Sequence, residues 1–368
     1  MIPYSRQNID QKDLSLVVKT LKSDWLTQGP KVIEFEKALA KSCGARYAVA
    51  VSSGTAALHL AYLVAGLKPG DEVITTPNTF VATANMLLVV GAKPVFCDIR
   101  LDTYNLDERK IESLITKKTK AIVPVHLGGH PCEMSVIWRL AQKYKLKVIE
   151  DSAHALGARY RGKPIGSGRS DLVVFSFHPV KSITTGEGGA IVTNNYKYYQ
   201  RLRLLRSHGI YKDKSGKNVM IALGYNYRLT DIQAALGLSQ LKKLGHFIRK
   251  RQQISRWYQQ ALKDMKHLAL PQQLKLFYSS WHLYLIRLKN EKIRDGLAKY
   301  LKNRGIGINF HYPCLYQQPY YRRKQIGGRC KNAEKYAKTI LTIPCYPGLE
   351  KTKIEHIAKL IEEFLGRV

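Results

Sequence analysis

Short apolar runs alternate with amphipathic stretches over residues 45–195 of this 368-residue chain. The runs are rich in Val, Ile and Ala, which is typical of strands that are buried on both faces. The stretches between them carry apolar residues at helical spacing. The pattern predicts an α/β fold with a large, mainly parallel sheet covered by helices. The predicted strands are 47–51, 72–76, 94–97, 121–125, 147–150, 172–176 and 190–193, and the predicted helices are 55–65, 79–90, 106–115, 134–144 and 196–206.

The remainder of the chain predicts a second, smaller unit. A long helical region at 230–263 is followed by a break at 268–271, a strand at 282–288, and helices at 293–304 and 352–365. We therefore expect an N-terminal arm and a large α/β domain over residues 1–245, and a small α+β domain over 246–368. The first 40 residues, with the turn-like LTQGP, are expected to pack outside the sheet.

Composition narrows the class of protein. The formal net charge is +33, a sign that attracts nucleic acids, anionic membranes and phosphorylated metabolites. The basic residues are spread along helix-like stretches without a nucleic-acid-binding motif, so we expect an anionic small substrate and no specific nucleic acid. The six cysteines show no zinc spacing, and we expect no metal. Without a signal-peptide pattern or an apolar run of about 18 residues, a cytoplasmic protein that binds no membrane is expected.

Three motifs at predicted strand ends contain candidate chemistry. SSGTAALHLAYL places small residues at the start of a predicted helix. These residues could bind a phosphate through free backbone N–H groups, or they could form a tight strand-to-helix connection capped by Ser or Thr. VIEDSAHALG ends a strand in Asp151, with His154 three residues later, where a carboxylate could hold a heteroaromatic nitrogen protonated or cap a turn. SFHPVKSITTGEGG presents Lys181 on a structured loop, where a lysine can form a Schiff base with a carbonyl. Together they favour a cofactor site.

These motifs resemble those of the DegT/DnrJ/EryC1/StrS family of sugar aminotransferases over nearly the full chain. The resemblance is carried by SFHPVKSITTGEGGAIVTN, GYNYRLTDIQAALGLSQLKKL and TPNTFVATANML. It implies the aspartate-aminotransferase-like fold (fold type I), the cofactor pyridoxal 5'-phosphate, and a homodimer with shared active sites. It also implies transfer of an amino group from L-glutamate to C4 of a UDP-linked 4-keto-6-deoxy-HexNAc sugar.

The resemblance assigns roles to individual residues. Lys181 matches the lysine that binds the cofactor aldehyde, and Asp151 the acid beside the pyridine nitrogen. Phe80, Ser176 and Asn226 could instead be a core residue, a strand end and a turn. The other matches are Gly54 and Thr55 at the phosphate, Ser176 as a hydroxyl contributor, Phe80 on the ring, His154 at the phenolic oxygen, and Asn226 reaching the phosphate of the neighbouring subunit. His311, Tyr312 and Tyr320 lie in the segment that family members use for the sugar nucleotide, and Arg228, near a motif of the site, is a candidate cation for its diphosphate.

Other interpretations stay open. A dehydratase of the same family would carry His instead of Lys181. A non-catalytic aminotransferase-like binding protein would normally carry a DNA-binding module, and we expect none before Tyr4 or after Leu365. C4 aminotransferases of the perosamine or 4-amino-4-deoxyarabinose type also remain alternatives, because the shape of the pocket decides which sugar is accepted.

Overall fold

The structure is a computed structural model that describes residues 1–367. The helices are α1 (Gln11–Leu21), α2 (Pro30–Cys43), α3 (Gly54–Val64), α4 (Ala82–Val89), α5 (Met134–Tyr144), α6 (Tyr196–Arg206), α7 (Asp231–Leu262), α8 (Glu291–Lys302), α9 (Pro319–Arg323), α10 (Lys331–Thr339) and α11 (Lys351–Leu365). The strands are β1 (Tyr47–Val51), β2 (Glu72–Thr75), β3 (Lys93–Phe96), β4 (Thr119–Ile122), β5 (Lys147–Asp151), β6 (Arg159–Tyr160), β7 (Lys163–Pro164), β8 (Leu172–Ser176), β9 (Gly189–Thr193), β10 (Ile210–Lys212), β11 (Asn218–Met220), β12 (Leu268–Ala269), β13 (Phe277–Tyr278), β14 (Tyr284–Leu288) and β15 (Ile340–Ile343).

Seven strands form the central sheet, in the order β1-β9-β8-β5-β4-β2-β3. Strand β9 runs antiparallel to both of its neighbours, and the other neighbouring pairs are parallel. Parallel neighbours need crossover connections, and most of these contain a helix. The predicted α/β fold with a large, mainly parallel sheet is confirmed.

Both faces of this sheet are buried. Val173 and Phe175 of β8 belong to one core with residues of α2, α5 and α7, whereas Leu172 and Val174 belong to another with residues of α3, α4 and α6. Alternate residues of a strand point to opposite faces. Because each face meets a core, the strand contains an unbroken apolar run instead of an alternating pattern.

Helix α7 connects the large sheet to the smaller unit. Thr230 and Gln233 form a capping box at its start, and the helix continues without interruption to Leu262. Its later residues Ile254 and Tyr258 pack in a core with the three-stranded sheet β12-β14-β15 and helices α8 and α11. Residues 245 and 246 thus lie within one continuous helix. The division into domains at this point stays a prediction.

Two helix predictions need correction. Residues 106–115 form two 3-10 turns, Glu108–Lys110 and Glu112–Leu114, instead of one helix. The buried Asp107 explains the first turn, because its carboxylate accepts hydrogen bonds from the backbone N–H and the guanidinium of Arg109. Helix α4 begins at residue 82 instead of 79, so the residues before it lie in a loop.

None of the helices within residues 1–367 combines the length and apolar composition needed to cross a bilayer.

Candidate active site

A cavity of about 620 Å³ opens at the carboxyl ends of the central strands and is closed on its other side by the small domain. Open α/β sheets bind their ligands at this edge. The cavity brings together nine of the twelve residues predicted for the site. These are Gly54, Thr55, Phe80, Asp151, His154, Ser176, Lys181, His311 and Tyr312.

Lys181 lies on the loop between β8 and β9. The loop is held against the sheet by hydrogen bonds from Thr184 Oγ1 (3.1 Å) and the N–H of Thr185 (3.0 Å) to the carbonyl of Phe177. Burial lowers the pKa of Lys181 to about 8, although the charges of Asp151 and Glu187 act in the opposite direction. An amine with this pKa is partly neutral near physiological pH and can act as a nucleophile.

Asp151 ends strand β5 and is nearly fully buried. One carboxylate oxygen accepts a hydrogen bond from Thr83 Oγ1 (2.6 Å), and the other accepts one from the N–H of Ala153 (3.1 Å). Thr79 Oγ1 in turn lies 2.8 Å from Thr83 Oγ1. These bonds fix the direction of the carboxylate, so Asp151 presents a charge of defined orientation to a bound ring.

The start of α3 lies at one end of the cavity and offers free backbone N–H groups there. The first four N–H groups of a helix have no partner within the helix. Ser53 Oγ accepts the N–H of Ala56 (3.1 Å), and the carbonyl of the same serine accepts the next N–H. This leaves the N–H groups of Gly54 and Thr55 for an anion. A Cβ at residue 54 would lie 2.9 Å from Cβ of Ser176, so only glycine fits beside this serine.

His154 is buried between the two domains. The N–H of Gly128 donates to its Nδ1 over 3.2 Å, and its Nε2 lies 3.4 Å from the hydroxyl of Tyr312. Burial, followed by the charge of Lys181, holds the pKa of His154 well below its ordinary value. The ring is therefore neutral, and its proton is on Nε2. The geometry makes His154 a fixed hydrogen-bond donor inside the cavity.

The small domain contributes His311 and Tyr312. Nδ1 of His311 lies 2.8 Å from Thr342 Oγ1, and burial followed by the charge of Lys181 lowers the pKa of His311 to about 3. The ring of Tyr312 lies 6.1 Å from that of Phe80, centroid to centroid. Phe80 is 55% exposed although it lines the cavity. An aromatic face left open in this position is suited to covering a planar ligand.

Among the lining residues that were not predicted, three contact predicted site residues with side chains that bear on the chemistry. Thr83 donates a hydrogen bond to Asp151. The sequence signal that could have identified it is the spacing of Thr79 and Thr83, which are four residues apart. His282 precedes β14 and its ring contacts that of His154 in a tilted arrangement, with ring centroids 4.4 Å apart. Tyr4 comes from the N-terminal segment and contacts the ring of His311. No local pattern predicts His282 or Tyr4, because their position depends on how distant segments pack.

Three predicted residues lie outside this cavity. Asn226 is exposed, and Tyr320 lies on α9 with half of its surface exposed. Arg228 lines a neighbouring basic cavity of about 940 Å³, which it shares with Arg201, Arg203 and other cations. One chain therefore does not bring these three residues to Lys181. Their roles stay predictions.

The arrangement defines a class of enzyme. Lys181 offers an amine for an aldehyde, Asp151 an oriented charge for a ring nitrogen, and the start of α3 free N–H groups for a phosphate. These three functions match the three ends of pyridoxal 5'-phosphate. The residues thus fit this cofactor, as in a pyridoxal-phosphate-dependent aminotransferase.

The chain belongs to the DegT/DnrJ/EryC1/StrS aminotransferase family, whose model matches residues 7–362. It is 43% identical over 373 residues to a UDP-4-amino-4,6-dideoxy-N-acetyl-beta-L-altrosamine transaminase of Campylobacter jejuni, covering all of this chain and 98% of that protein. The structure of Helicobacter pylori PseC, an aminotransferase involved in the biosynthesis of pseudoaminic acid, matches with a TM-score of 0.95 and 36% identity over the whole of both chains.

A second solved structure bears on the cofactor. The PLP form of the putative sugar aminotransferase Spr1654 from Streptococcus pneumoniae matches with a TM-score of 0.94 and 30% identity, over all of this chain and 99% of that one. The predicted fold type and the predicted cofactor are confirmed. The chain is a pyridoxal-phosphate-dependent nucleotide-sugar transaminase.

Proposed function

We propose that the enzyme transfers an amino group from L-glutamate to C4 of a UDP-linked 4-keto-6-deoxy-HexNAc sugar. The product would be UDP-4-amino-4,6-dideoxy-N-acetyl-β-L-altrosamine, an intermediate of pseudaminic acid biosynthesis. The observation that carries the proposal is the 43% identity, over the entire chain, to a transaminase named for this product. The presence of Lys181 and Asp151 in one cavity supports transamination as its chemistry. We expect the reaction in the cytoplasm, because nucleotide sugars and glutamate are present there.

We assign the cofactor contacts to the large domain. Gly54, Thr55 and Ser176 would hold the phosphate, Phe80 would cover the ring, and His154 would donate its Nε2 proton to the phenolic oxygen. Asp151 would keep the ring nitrogen protonated, with Thr83 holding the carboxylate in place. Pyridoxal phosphate, when bound, supplies an aldehyde that carries the amino group and a ring that accepts the electron pair of the reacting carbon.

Lys181 has two tasks in this proposal. Its Nζ binds the cofactor between reactions, and after the donor has replaced it, the same atom moves the proton to and from the reacting carbon. A pKa of about 8 suits both tasks, because the neutral amine is accessible near physiological pH. The half-buried position of Lys181 also limits competition from water.

A homodimer would complete the site. Lys181 is the only lysine or arginine among the lining residues of the cavity within residues 1–367, yet a UDP-sugar brings a diphosphate. Asn226 and Arg228 follow an apolar, exposed segment that includes Met220, Ile221 and the 73% exposed Leu223. Covering such a segment favours association. We propose that Asn226 reaches the cofactor phosphate of the neighbouring subunit and that His311, Tyr312, Tyr320 and Arg228 bind the sugar nucleotide.

The experiment that tests the proposal supplies the purified, cofactor-loaded enzyme with L-glutamate and then with 4-keto sugars. UDP-linked 4-keto-6-deoxy-HexNAc epimers are compared with nucleotide sugars of the perosamine and 4-amino-4-deoxyarabinose types. We expect 2-oxoglutarate in the first half-reaction and the amino sugar, identified by mass spectrometry and NMR, only with the UDP-HexNAc substrate. Preferential turnover of another sugar would contradict the assigned substrate, and no product from any sugar would contradict the activity.

A further inference from the structure

Among the buried histidines that line the cavity, His282 is the one that has no hydrogen-bond partner on its ring within residues 1–367. His154 accepts the N–H of Gly128, and His311 is bound to Thr342. By contrast, neither ring nitrogen of His282 has a hydrogen-bond partner within residues 1–367. Its Nδ1 is fully enclosed, which leaves Nε2 for a ligand in the cavity, and the residue is only 2% exposed. Unpartnered buried polar groups are rare in proteins and call for an explanation such as a ligand or a bound water.

The backbone before His282 is strained. Trp281 has a φ of 46°, in the left-handed region that a bulky side chain rarely occupies. The buried guanidinium of Arg251 stabilises this conformation, because its Nη1 donates to the carbonyls of Trp281 (3.1 Å), His282 (3.1 Å) and Cys345 (2.7 Å). Strain of this kind persists where the surroundings impose it, often at functional sites. Here it accompanies an imidazole that lines the cavity.

The two substrates of the proposed reaction make different demands on this wall. Glutamate brings two carboxylates, whereas the sugar is uncharged at its reacting carbon. Lys181, the only lysine or arginine among the described lining residues, is taken by the cofactor, and Asp151 and Glu187 add negative charge. A permanent guanidinium at the wall would be left unpaired whenever the sugar is bound, at a cost in affinity. An imidazole N–H binds a carboxylate and tolerates the uncharged sugar.

We propose that His282 binds a carboxylate of the amino donor, so that one cavity serves two chemically different substrates. This inference rests on the proposed function for its choice of glutamate. Burial, followed by the nearby His154 and Lys181, holds the pKa of His282 well below its ordinary value, and a bound carboxylate raises it. The titratable and charged groups that line the cavity or lie directly behind its wall are Tyr4, Asp151, His154, His178, Lys181, Glu187, Arg251, His311 and Tyr312.

The test compares two substrates in His282→Leu, His282→Gln and His282→Asn. Glutamine places an N–H near the position of Nε2, whereas asparagine is too short to do so. We expect the KM for glutamate to rise about tenfold or more in the Leu and Asn variants and to recover in the Gln variant, while the KM for the sugar changes less than about twofold. Calorimetric titration of the loaded enzyme with glutarate, an unreactive dicarboxylate, should show the same order of affinities.

His130→Leu is the matched control. His130 is also buried and has one ring nitrogen without a partner, but it lies outside the cavity, so its removal should leave the glutamate KM unchanged. Equal rises for glutamate and sugar, a rise for the sugar alone, or no change would each overturn the role of His282. If His282→Leu misfolds, the KM for glutamate is compared between His282→Gln and His282→Asn. Equal KM values in these two variants would overturn the role of His282. A wild-type enzyme that binds glutarate but converts no glutamate would refute the proposed function separately.

Discussion

The large-domain and small-domain sides of the active site are built differently. On the large-domain side, functional groups follow directly from regular elements and are held in place by their neighbours: Asp151 ends β5 with both oxygens bound, and Gly54 starts α3 against Ser176. On the small-domain side, His282 and His311 come from irregular segments, and His282 has an unpartnered nitrogen. Rigid, satisfied groups suit a permanent cofactor, whereas open hydrogen-bonding positions suit substrates that change at every half-reaction.

If the large-domain side holds the cofactor, substitutions there should slow both half-reactions, with glutamate and with the sugar alike. Lys181→Ala removes both the amine proposed to bind the cofactor and the group proposed to move the proton. We expect both half-reactions to slow by at least about 10³-fold. The matched control is Lys292→Ala, which removes an exposed lysine of α8 and should leave the rates unchanged. Retention of the wild-type rate by Lys181→Ala would contradict the role of this residue.

Asp151→Asn keeps the shape of the side chain and removes its charge. We expect a loss of roughly 10²- to 10³-fold in kcat, because the ring nitrogen would no longer be held protonated by an oriented carboxylate. Stopped-flow absorbance in the two half-reactions measures the effect. A loss confined to the half-reaction with the sugar would contradict an electronic role, since both half-reactions use the same ring.

The pH dependence of Lys181 in the apoenzyme gives the third prediction. Burial lowers its pKa to about 8, so the neutral amine accumulates as pH rises through 8. A lysine in an unstructured peptide, which serves as the reference, titrates with a pKa of about 10.4. Acylation with a water-soluble anhydride, followed by peptide mass spectrometry across pH, should therefore give midpoints about two units apart. Coincident midpoints would contradict the desolvation of Lys181.

Gly54→Ala tests the crowded phosphate end. The added Cβ would lie 2.9 Å from Cβ of Ser176, so the start of α3 must shift away from the anion. We expect the Kd for pyridoxal phosphate to rise about tenfold, measured by fluorescence titration of the apoenzyme. The control is Gly348→Ala, at a position where a Cβ meets no atom within 4 Å. An unchanged Kd in Gly54→Ala would contradict a rigid, crowded start of α3 beside Ser176.

Thr83→Val is expected to have an effect of similar, modest size, because it removes only a hydrogen bond to Asp151. A loss of about tenfold in kcat follows from one bond to a charged group. Thr83→Ser keeps the hydroxyl and should recover most of the rate. Comparable losses in the Val and Ser variants would indicate that the methyl group, and not the hydroxyl, is what the site requires.

The two sides of the site also differ in how well the sequence predicts them. Asp151 and Lys181 follow short apolar strands, and Gly54 and Thr55 begin a helix, so local patterns identify them together with the sheet. The positions of His282 and Tyr4 depend on contacts between segments far apart in the chain. The local spacing of apolar residues does not predict such contacts. Residues 106–115 show a related limit, because Asp107 caps a 3-10 turn there and the local apolar spacing does not distinguish such a turn from a regular helix.

The most direct test of the central claim is to reduce the cofactor-loaded enzyme with borohydride and to map the labelled peptide. We expect a single stable pyridoxyl label on Lys181, lost in Lys181→Ala. A label on any other lysine, or none, would contradict the assignment of this cavity as the site of catalysis.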